Sequence, residues 1–151
     1  MDLRPRVLIV ADTLALTEDL LGWLVPGGYQ STVVTTFASA MIQLRTHPQL
    51  VISQLRLREY NGLHVALRAR SGGIPTVVIG NPDTVLEREA RQLGATFVTS
   101  AELARERILA VAQELISSEI AVDTGSDPLA SFPALIQGDE KQRVGVPAIG
   151  R

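Results

Sequence analysis

The chain has 151 residues, 46% of them hydrophobic, and a formal net charge of -2 at pH 7. This length suits one buried core, while the near balance of charges argues against direct binding to nucleic acid or an anionic membrane. The absence of cysteine excludes disulfides and thiolate metal sites, and no apolar run approaches the roughly 18 residues of a membrane span. Because the charged start, MDLRPR, is unlike a secretory signal, we expect a soluble cytoplasmic protein.

The first 28 residues read as one strand followed by one helix. The continuous apolar run RVLIVAD (6–12) is typical of a strand buried on both faces of a parallel sheet. The next segment, TLALTEDLLGWLVPGG (13–28), changes to helical spacing, and its two final glycines end the helix. Trp23 lies on the apolar stripe of this helix, so we interpret it as a core residue.

Four further strand–helix pairs follow with short connections. We expect strands at 31–37, 50–54, 74–80 and 96–100, and helices within 38–49, 62–70, 82–95 and 102–120. Five such units predict right-handed crossovers and a parallel five-stranded sheet with helices on both faces. The expected fold class is therefore α/β, a three-layer doubly wound sandwich.

The composition changes near Val122. Residues 1–121 are expected to form the folded domain, and residues 122–151, rich in Gly, Pro and Asp, to form a tail without its own core. Two alternatives stay open for this tail. It is disordered, or its apolar segment from Phe132 to Ile136 docks on the domain or on a partner.

Four sequence blocks, VLIVAD, LVISQLRLREYNGL, IPTVVIG and LGATFVTSA, carry a family resemblance. From Val7 to about Ala121 the chain resembles the receiver domain of bacterial two-component response regulators. The second block is the most specific, because Asn61-Gly62 stands where receivers have Asn or Asp before Gly. The resemblance implies the flavodoxin-like strand order 2-1-3-4-5 and a histidine kinase, regulator or output domain as partner.

The same resemblance marks positions where the phosphorylation chemistry of receivers is missing. Gln54 occupies the phosphoacceptor position, and a neutral amide is a poor nucleophile toward phosphorus. Ala11-Asp12 replaces the acidic pair that helps to hold Mg²⁺, so we expect no metal and no cofactor. Gly80 replaces the switch hydroxyl and Ser100 replaces the lysine. The sequence therefore predicts a non-enzymatic pseudo-receiver with a degenerate phosphoacceptor pocket.

Structural roles for the polar residues compete with functional ones. Asp12 is either a remnant metal ligand or an acid favoured near the start of a helix. Gln54 either binds a partner or holds its loop by hydrogen bonds. His47 and His64 have no second ligand at metal spacing, so we expect surface roles for both.

The last helix carries more apolar residues than one buried stripe requires. We expect Ala104, Ile108, Val111, Ala112 and Leu115 to face the sheet, which leaves Leu109, Ile116 and Ile120 outside. An outward apolar patch usually marks an interface. With Phe97, these three residues form the predicted interaction surface on helix 4, strand 5 and helix 5, either for a homodimer or for a protein partner. The alternative is that the tail covers this patch.

Three functional hypotheses follow. The first is a signalling module that works without aspartyl phosphorylation, through protein–protein contact or dimerisation. The second is a flavodoxin-like protein that binds a small ligand or cofactor, although no glycine-rich phosphate loop follows any strand. The third, residual phosphotransfer to Asp12, is disfavoured because the adduct would lack metal, hydroxyl and lysine partners.

Overall fold

One parallel sheet organises the chain. The computed structural model describes residues 3–58 and 60–125, with side chains described as far as Ser118. The strands are β1 (Arg6–Val10), β2 (Gln30–Val34), β3 (Leu50–Gln54), β4 (Thr76–Gly80) and β5 (Thr96–Thr99). They pair in the order β2-β1-β3-β4-β5, and every pair is parallel. The predicted flavodoxin-like sheet and its strand order are confirmed.

Each strand is followed by a helix, as the alternating pattern predicts. The helices are α1 (Leu14–Leu24), α2 (Phe37–Leu44), α3 (Gly62–Ser71), α4 (Thr84–Gln92) and α5 (Arg105–Gly125). None of the helices in the described part of the chain is long and apolar enough to cross a membrane. The sheet and its helices as far as Ile116 form one compact unit.

The three layers follow from the alternation of side chains along the strands. On β1, Val7 and Ile9 pack with residues of α1 and α5, whereas Leu8 and Val10 pack with residues of α2 and α3. A third cluster, which includes Phe97, joins β4 and β5 to α3 and α4. Helices therefore cover both faces of the sheet.

Capping residues set several helix boundaries. Thr36 accepts a hydrogen bond from the Ser39 N–H, so α2 begins at Phe37, which the sequence pattern predicts to end a strand. Asn61 accepts hydrogen bonds from the N–H groups of Leu63 and His64, and so caps α3.

The last helix begins and ends later than the spacing predicts. Ser100–Glu102 forms a short 3₁₀ turn, and α5 then runs from Arg105 to Gly125, past the expected end near residue 120. The boundary at residues 121 and 122 between domain and tail stays a prediction. Residues 126–151, with the Phe132 to Ile136 segment, lie outside the described residues.

Candidate functional site

The residues of the predicted pocket lie at the carboxyl edge of the sheet. Ala11 and Asp12 follow β1, Gln54 ends β3, Gly80 ends β4, and Ser100 follows β5. Doubly wound sheets usually carry their functional groups at this edge. A hydrogen bond joins Asp12 with Gln54, and Ser100 Oγ lies 3.4 Å from the Gly80 carbonyl oxygen. Ala11 is buried and extends the apolar core instead.

The Gln54 side chain is fully hydrogen-bonded. Its Oε1 accepts from the N–H groups of Asp12 and Thr13, each at 3.2 Å. Its Nε2 donates to Asp12 Oδ1 at 2.9 Å and to the backbone carbonyl of Arg56 at 2.5 Å. A primary amide offers two N–H donors and two acceptor lone pairs, and here all four are used. Gln54 therefore ties the loop after β1 to the loop after β3.

The Asp12 carboxylate is engaged at both oxygens. While Oδ1 accepts from Gln54, Oδ2 accepts from the Arg58 N–H at 3.0 Å. Asp12 precedes Thr13, the N-cap residue of α1, and so does not lie in the first turn of that helix. Its contacts give this exposed carboxylate a structural role between two loops.

The pocket does not fit the Mg²⁺ ion that the resemblance implies. A hard cation needs several oxygen ligands, with carboxylates foremost among them. Asp12 is the one carboxylate among the pocket residues, and the amide nitrogen of Gln54 points at it. Among the residues whose side chains the structure describes, no group of three His, Asp or Glu could hold a metal ion.

Gly80 lies directly against the side chain of Leu55. A Cβ atom added to Gly80 would lie 2.8 Å from Cβ and 2.7 Å from Cδ2 of Leu55. Leu55 is 2% exposed and packs with the cluster between β4, β5 and α3. The Leu55 side chain thus occupies the space that a serine or threonine at position 80 would need.

Ser100 belongs to a tight turn rather than to the Gln54 side of the pocket. Its Oγ donates to Asn81 Oδ1 at 2.7 Å and lies 3.4 Å from the Gly80 carbonyl oxygen. Thr99 and Glu102 form a reciprocal capping box around this turn. The N–H and hydroxyl groups of Thr99 hold the pKa of the exposed Glu102 carboxyl below its ordinary value of 4.5, the N–H contributing most.

Sequence reasoning missed a cleft of about 420 Å³ beside the Asp12–Gln54 pair. Its lining residues are Asp12, Thr35, Thr36, Phe37, Arg58 and Tyr60. The Phe37 and Tyr60 rings stack with centroids 4.6 Å apart, and His64 meets both rings edge-on. Aromatic residues shortly after β2 and β3 were the available sequence signal for this cleft.

The predicted interaction surface is wrong at two positions. Phe97 is 8% exposed and Ile116 is 5% exposed, so both belong to the core. Leu109 is half-buried against the same core cluster as Ile116. The Ile120 side chain lies outside the described residues, so its exposure stays a prediction.

Ile116 and Leu109 are less exposed than predicted because residues of α1 belong to the core cluster on the side of α5 that the spacing predicts to face solvent. Leu20, Leu24 and the half-buried Trp23 of α1 share a cluster with Ile116. Gly27, just after α1, has no side chain, and a Cβ added there would lie 2.9 Å from Leu109 Cδ2. The buried stripe of α5 is therefore wider than it would be if the helix packed on the sheet alone. Ala104, expected to face the sheet, is exposed just before α5 begins.

Comparison with known proteins supplies structural relatives but no sequence relatives. No protein-family model matches the chain. No curated protein matches it either.

Several solved receiver domains share the fold. The signal receiver domain of a protein described as a Luxo repressor from Vibrio parahaemolyticus is 22% identical, with a TM-score of 0.73, and the match covers 83% of this chain and 99% of that one. The receiver domain of an HD domain-containing protein from Pseudomonas fluorescens is 18% identical, with a TM-score of 0.72 and coverage of 80% and 92%.

A third structure is the receiver domain of a signal transduction histidine kinase from Syntrophus aciditrophicus. It is 24% identical, with a TM-score of 0.68 and coverage of 76% of this chain and 91% of that one. The topology and these matches agree, and this chain has the fold of signal receiver domains.

Proposed function

We propose that this chain is a non-enzymatic signal-transduction module, a pseudo-receiver that acts without aspartyl phosphorylation through contact with another protein. The receiver fold supports a role in two-component signalling. The candidate partners are a histidine kinase, a regulator or an output domain, in the cytoplasm, or a second copy of the chain. No step of catalysis is assigned to it.

The observation that carries this proposal is the hydrogen bonding of Gln54. Phosphoryl acceptance needs a nucleophilic oxygen that is free to approach phosphorus. The Gln54 amide is a weak nucleophile, and its four hydrogen-bonding positions are already used within the protein. The position therefore serves to hold two loops together.

Intact mass spectrometry tests the proposal. The protein is incubated with acetyl phosphate and Mg²⁺, beside an ordinary receiver domain as positive control. We expect the control to gain one phosphoryl group and this chain to remain unmodified. A hydroxylamine-labile phosphoryl group mapped to Asp12 would overturn the proposal and support residual phosphotransfer.

A reversion experiment tests the rest of the pocket. The Gln54→Asp variant should remain a poor phosphoacceptor, because no hydroxyl at Gly80 and no lysine at Ser100 would stabilise the transferred group. Adding Gly80→Ser should destabilise the fold, since the new Cβ would meet both Cβ and Cδ2 of the buried Leu55 side chain. If Gln54→Asp alone were phosphorylated as fast as the control receiver, this account of the pocket would be wrong.

The cleft beside Asp12 favours a second candidate function, the binding of a small ligand. A stacked aromatic pair and the Arg58 guanidinium suit a planar, anionic molecule. The loops after the strands have no glycine-rich phosphate motif, which weighs against a nucleotide. A thermal-shift screen with flavin mononucleotide and ATP, compared between wild type and Tyr60→Ala, would decide for or against this function.

A further inference from the structure

Helices α2 and α3 lie side by side and form a surface of mixed character. Phe37, Met41 and Leu44 follow one another at helical spacing on α2, and each is half-buried against the core. Arg45 and Arg68 accompany this apolar stripe, and Arg58 lies near its first residue. We call the surface formed by these six residues the α2–α3 seam.

The part of the seam around Met41 and Leu44 is an open groove. It has a volume of about 500 Å³ and is lined by Met41, Leu44, Arg45, His47 and Arg68. Near Phe37 the seam also joins α2 to α3, because the Phe37 ring meets the His64 ring with centroids 6.4 Å apart, and His64 precedes Arg68 by one helical turn. The apolar stripe from Phe37 to Leu44 extends over about 10 Å, two turns of helix.

Positive charge is concentrated on this side of the chain. The segment 30–82 contains five arginines and one acidic residue, Glu59, so its formal charge is +4. Since the net charge of the whole chain is -2, the remaining residues carry a formal charge of -6. The exposed side chains of Arg45, Arg58 and Arg68 form no ion pair with any described residue. By contrast, two arginines outside this segment do pair with described carboxylates, Arg91 with Glu87 on α4 and Arg105 with Glu106 on α5.

Unpaired arginines beside an apolar stripe favour one kind of occupant. Arginine pairs strongly with carboxylates, and a half-buried apolar stripe gains from contact with apolar side chains. An amphipathic helix that carries Glu or Asp on both sides of an apolar stripe satisfies both requirements in a single groove. A basic or neutral helix would leave the arginines uncompensated.

We infer that the α2–α3 seam is the docking surface of this module and that it binds an acidic amphipathic helix of a protein partner. This inference rests on the proposed function, since it names the chemistry of the partner. The seam lies apart from the predicted surface on α4, β5 and α5, two of whose residues, Phe97 and Ile116, are buried.

A direct binding experiment tests the inference. The probe is a fluorescein-labelled synthetic helix of about 16 residues, with leucines at helical spacing and glutamates on both flanks. A second peptide has lysine in place of each glutamate. We expect saturable binding of the acidic peptide, at least tenfold weaker binding of the basic one, and loss of affinity as salt is raised. Amide shift changes in NMR spectra should map to residues 37–45 and 64–68.

Matched variants separate the seam from general charge. The double substitution Arg45→Glu with Arg68→Glu should weaken binding of the acidic peptide about tenfold or more. The control, Arg88→Glu with Arg107→Glu, changes the net charge equally on exposed residues of α4 and α5, and should leave affinity within about twofold. Circular dichroism checks the fold, and Arg45→Gln with Arg68→Gln replaces the first pair if the glutamate variant unfolds.

Three results would overturn the inference. The first is equal loss of peptide binding in the seam and control variants, and the second is no binding of the acidic peptide at all. The third is binding of a single-stranded DNA oligonucleotide at the seam in preference to the peptide, which would identify a nucleic-acid surface. None of these results bears on acetyl phosphate labelling, so failure of the docking surface is distinguishable from failure of the phosphorylation-independent module.

Discussion

Replacing Gln54 by Glu should destabilise the protein at neutral pH, although the two side chains have nearly the same shape. The Glu carboxylate could still accept from the N–H groups of Asp12 and Thr13. It could no longer donate to Asp12 Oδ1 or to the Arg56 carbonyl, and it would place a second negative charge about where the amide nitrogen now lies, 2.9 Å from Asp12 Oδ1.

The magnitude follows from the exposure of the site. Two unit charges about 3–4 Å apart repel by roughly 1–1.4 kcal/mol at the dielectric constant of water and by about 4–5.5 kcal/mol at an effective value of 20. Since Asp12 is exposed and Gln54 is half-buried, the lower part of this range applies. Loss of the two donated hydrogen bonds adds about 1–2 kcal/mol, partly offset by stronger acceptance from the N–H groups. We expect the free energy of unfolding to fall by about 2–3 kcal/mol.

Urea denaturation followed by circular dichroism at pH 7 and pH 4 measures this effect. The repulsion acts while both carboxyls are ionised, and protonation of either one relieves it, so the difference from wild type should shrink as the pH falls. Gln54→Met serves as control, because it removes the donated hydrogen bonds, and the accepted ones as well, without adding charge, and should show a deficit that changes less with pH. A Gln54→Glu protein as stable as wild type at pH 7 would refute the hydrogen-bond network described for this site.

Two further predictions concern backbone geometry and pH. Gly62→Ala should lower the free energy of unfolding by about 2–4 kcal/mol in thermal or urea denaturation, because its Cβ would lie 2.5 Å from the Gln54 carbonyl oxygen. Gly22→Ala, at an exposed position of α1, meets no atom within 4 Å and should raise the free energy of unfolding by about 0.5–1 kcal/mol. Equal effects of the two substitutions would contradict this packing. NMR titration should give Glu102 a pKa below 4.5 that returns toward 4.5 in Thr99→Val. The folded-state pKa is the lower one, so the stabilisation by this turn is present above pH 4.5 and is lost as the pH falls through the folded value.

The alternation of strand and helix could be predicted from the sequence because it depends on local periodicity. Continuous apolar runs such as RVLIVAD indicate strands buried on both faces, and short connections between five such units leave few topologies. The strand order came from the resemblance to receivers and is confirmed. Boundaries were less accurate at Phe37 and Glu102, because side-chain caps at Thr36 and Thr99 decide where those elements begin.

The residue types at the pocket positions are also readable from the sequence, since an amide at Gln54 and a hydrogen at Gly80 are properties of single residues. Only the tertiary structure decides what these residues do instead. The bonds of Gln54 to Asp12, and the Leu55 side chain beside Gly80, depend on strands that are distant in sequence and adjacent in space.

Burial on α5 shows the same division between sequence and structure. The spacing of apolar residues determined that the helix has a buried stripe, but it left the width of that stripe open. Ile116 shares a core cluster with residues of α1, and Gly27 leaves room for Leu109, whose Cδ2 would lie 2.9 Å from a Cβ at position 27. A single sequence cannot specify such a contact, because it depends on the positions of two helices about ninety residues apart, which the sheet between them sets.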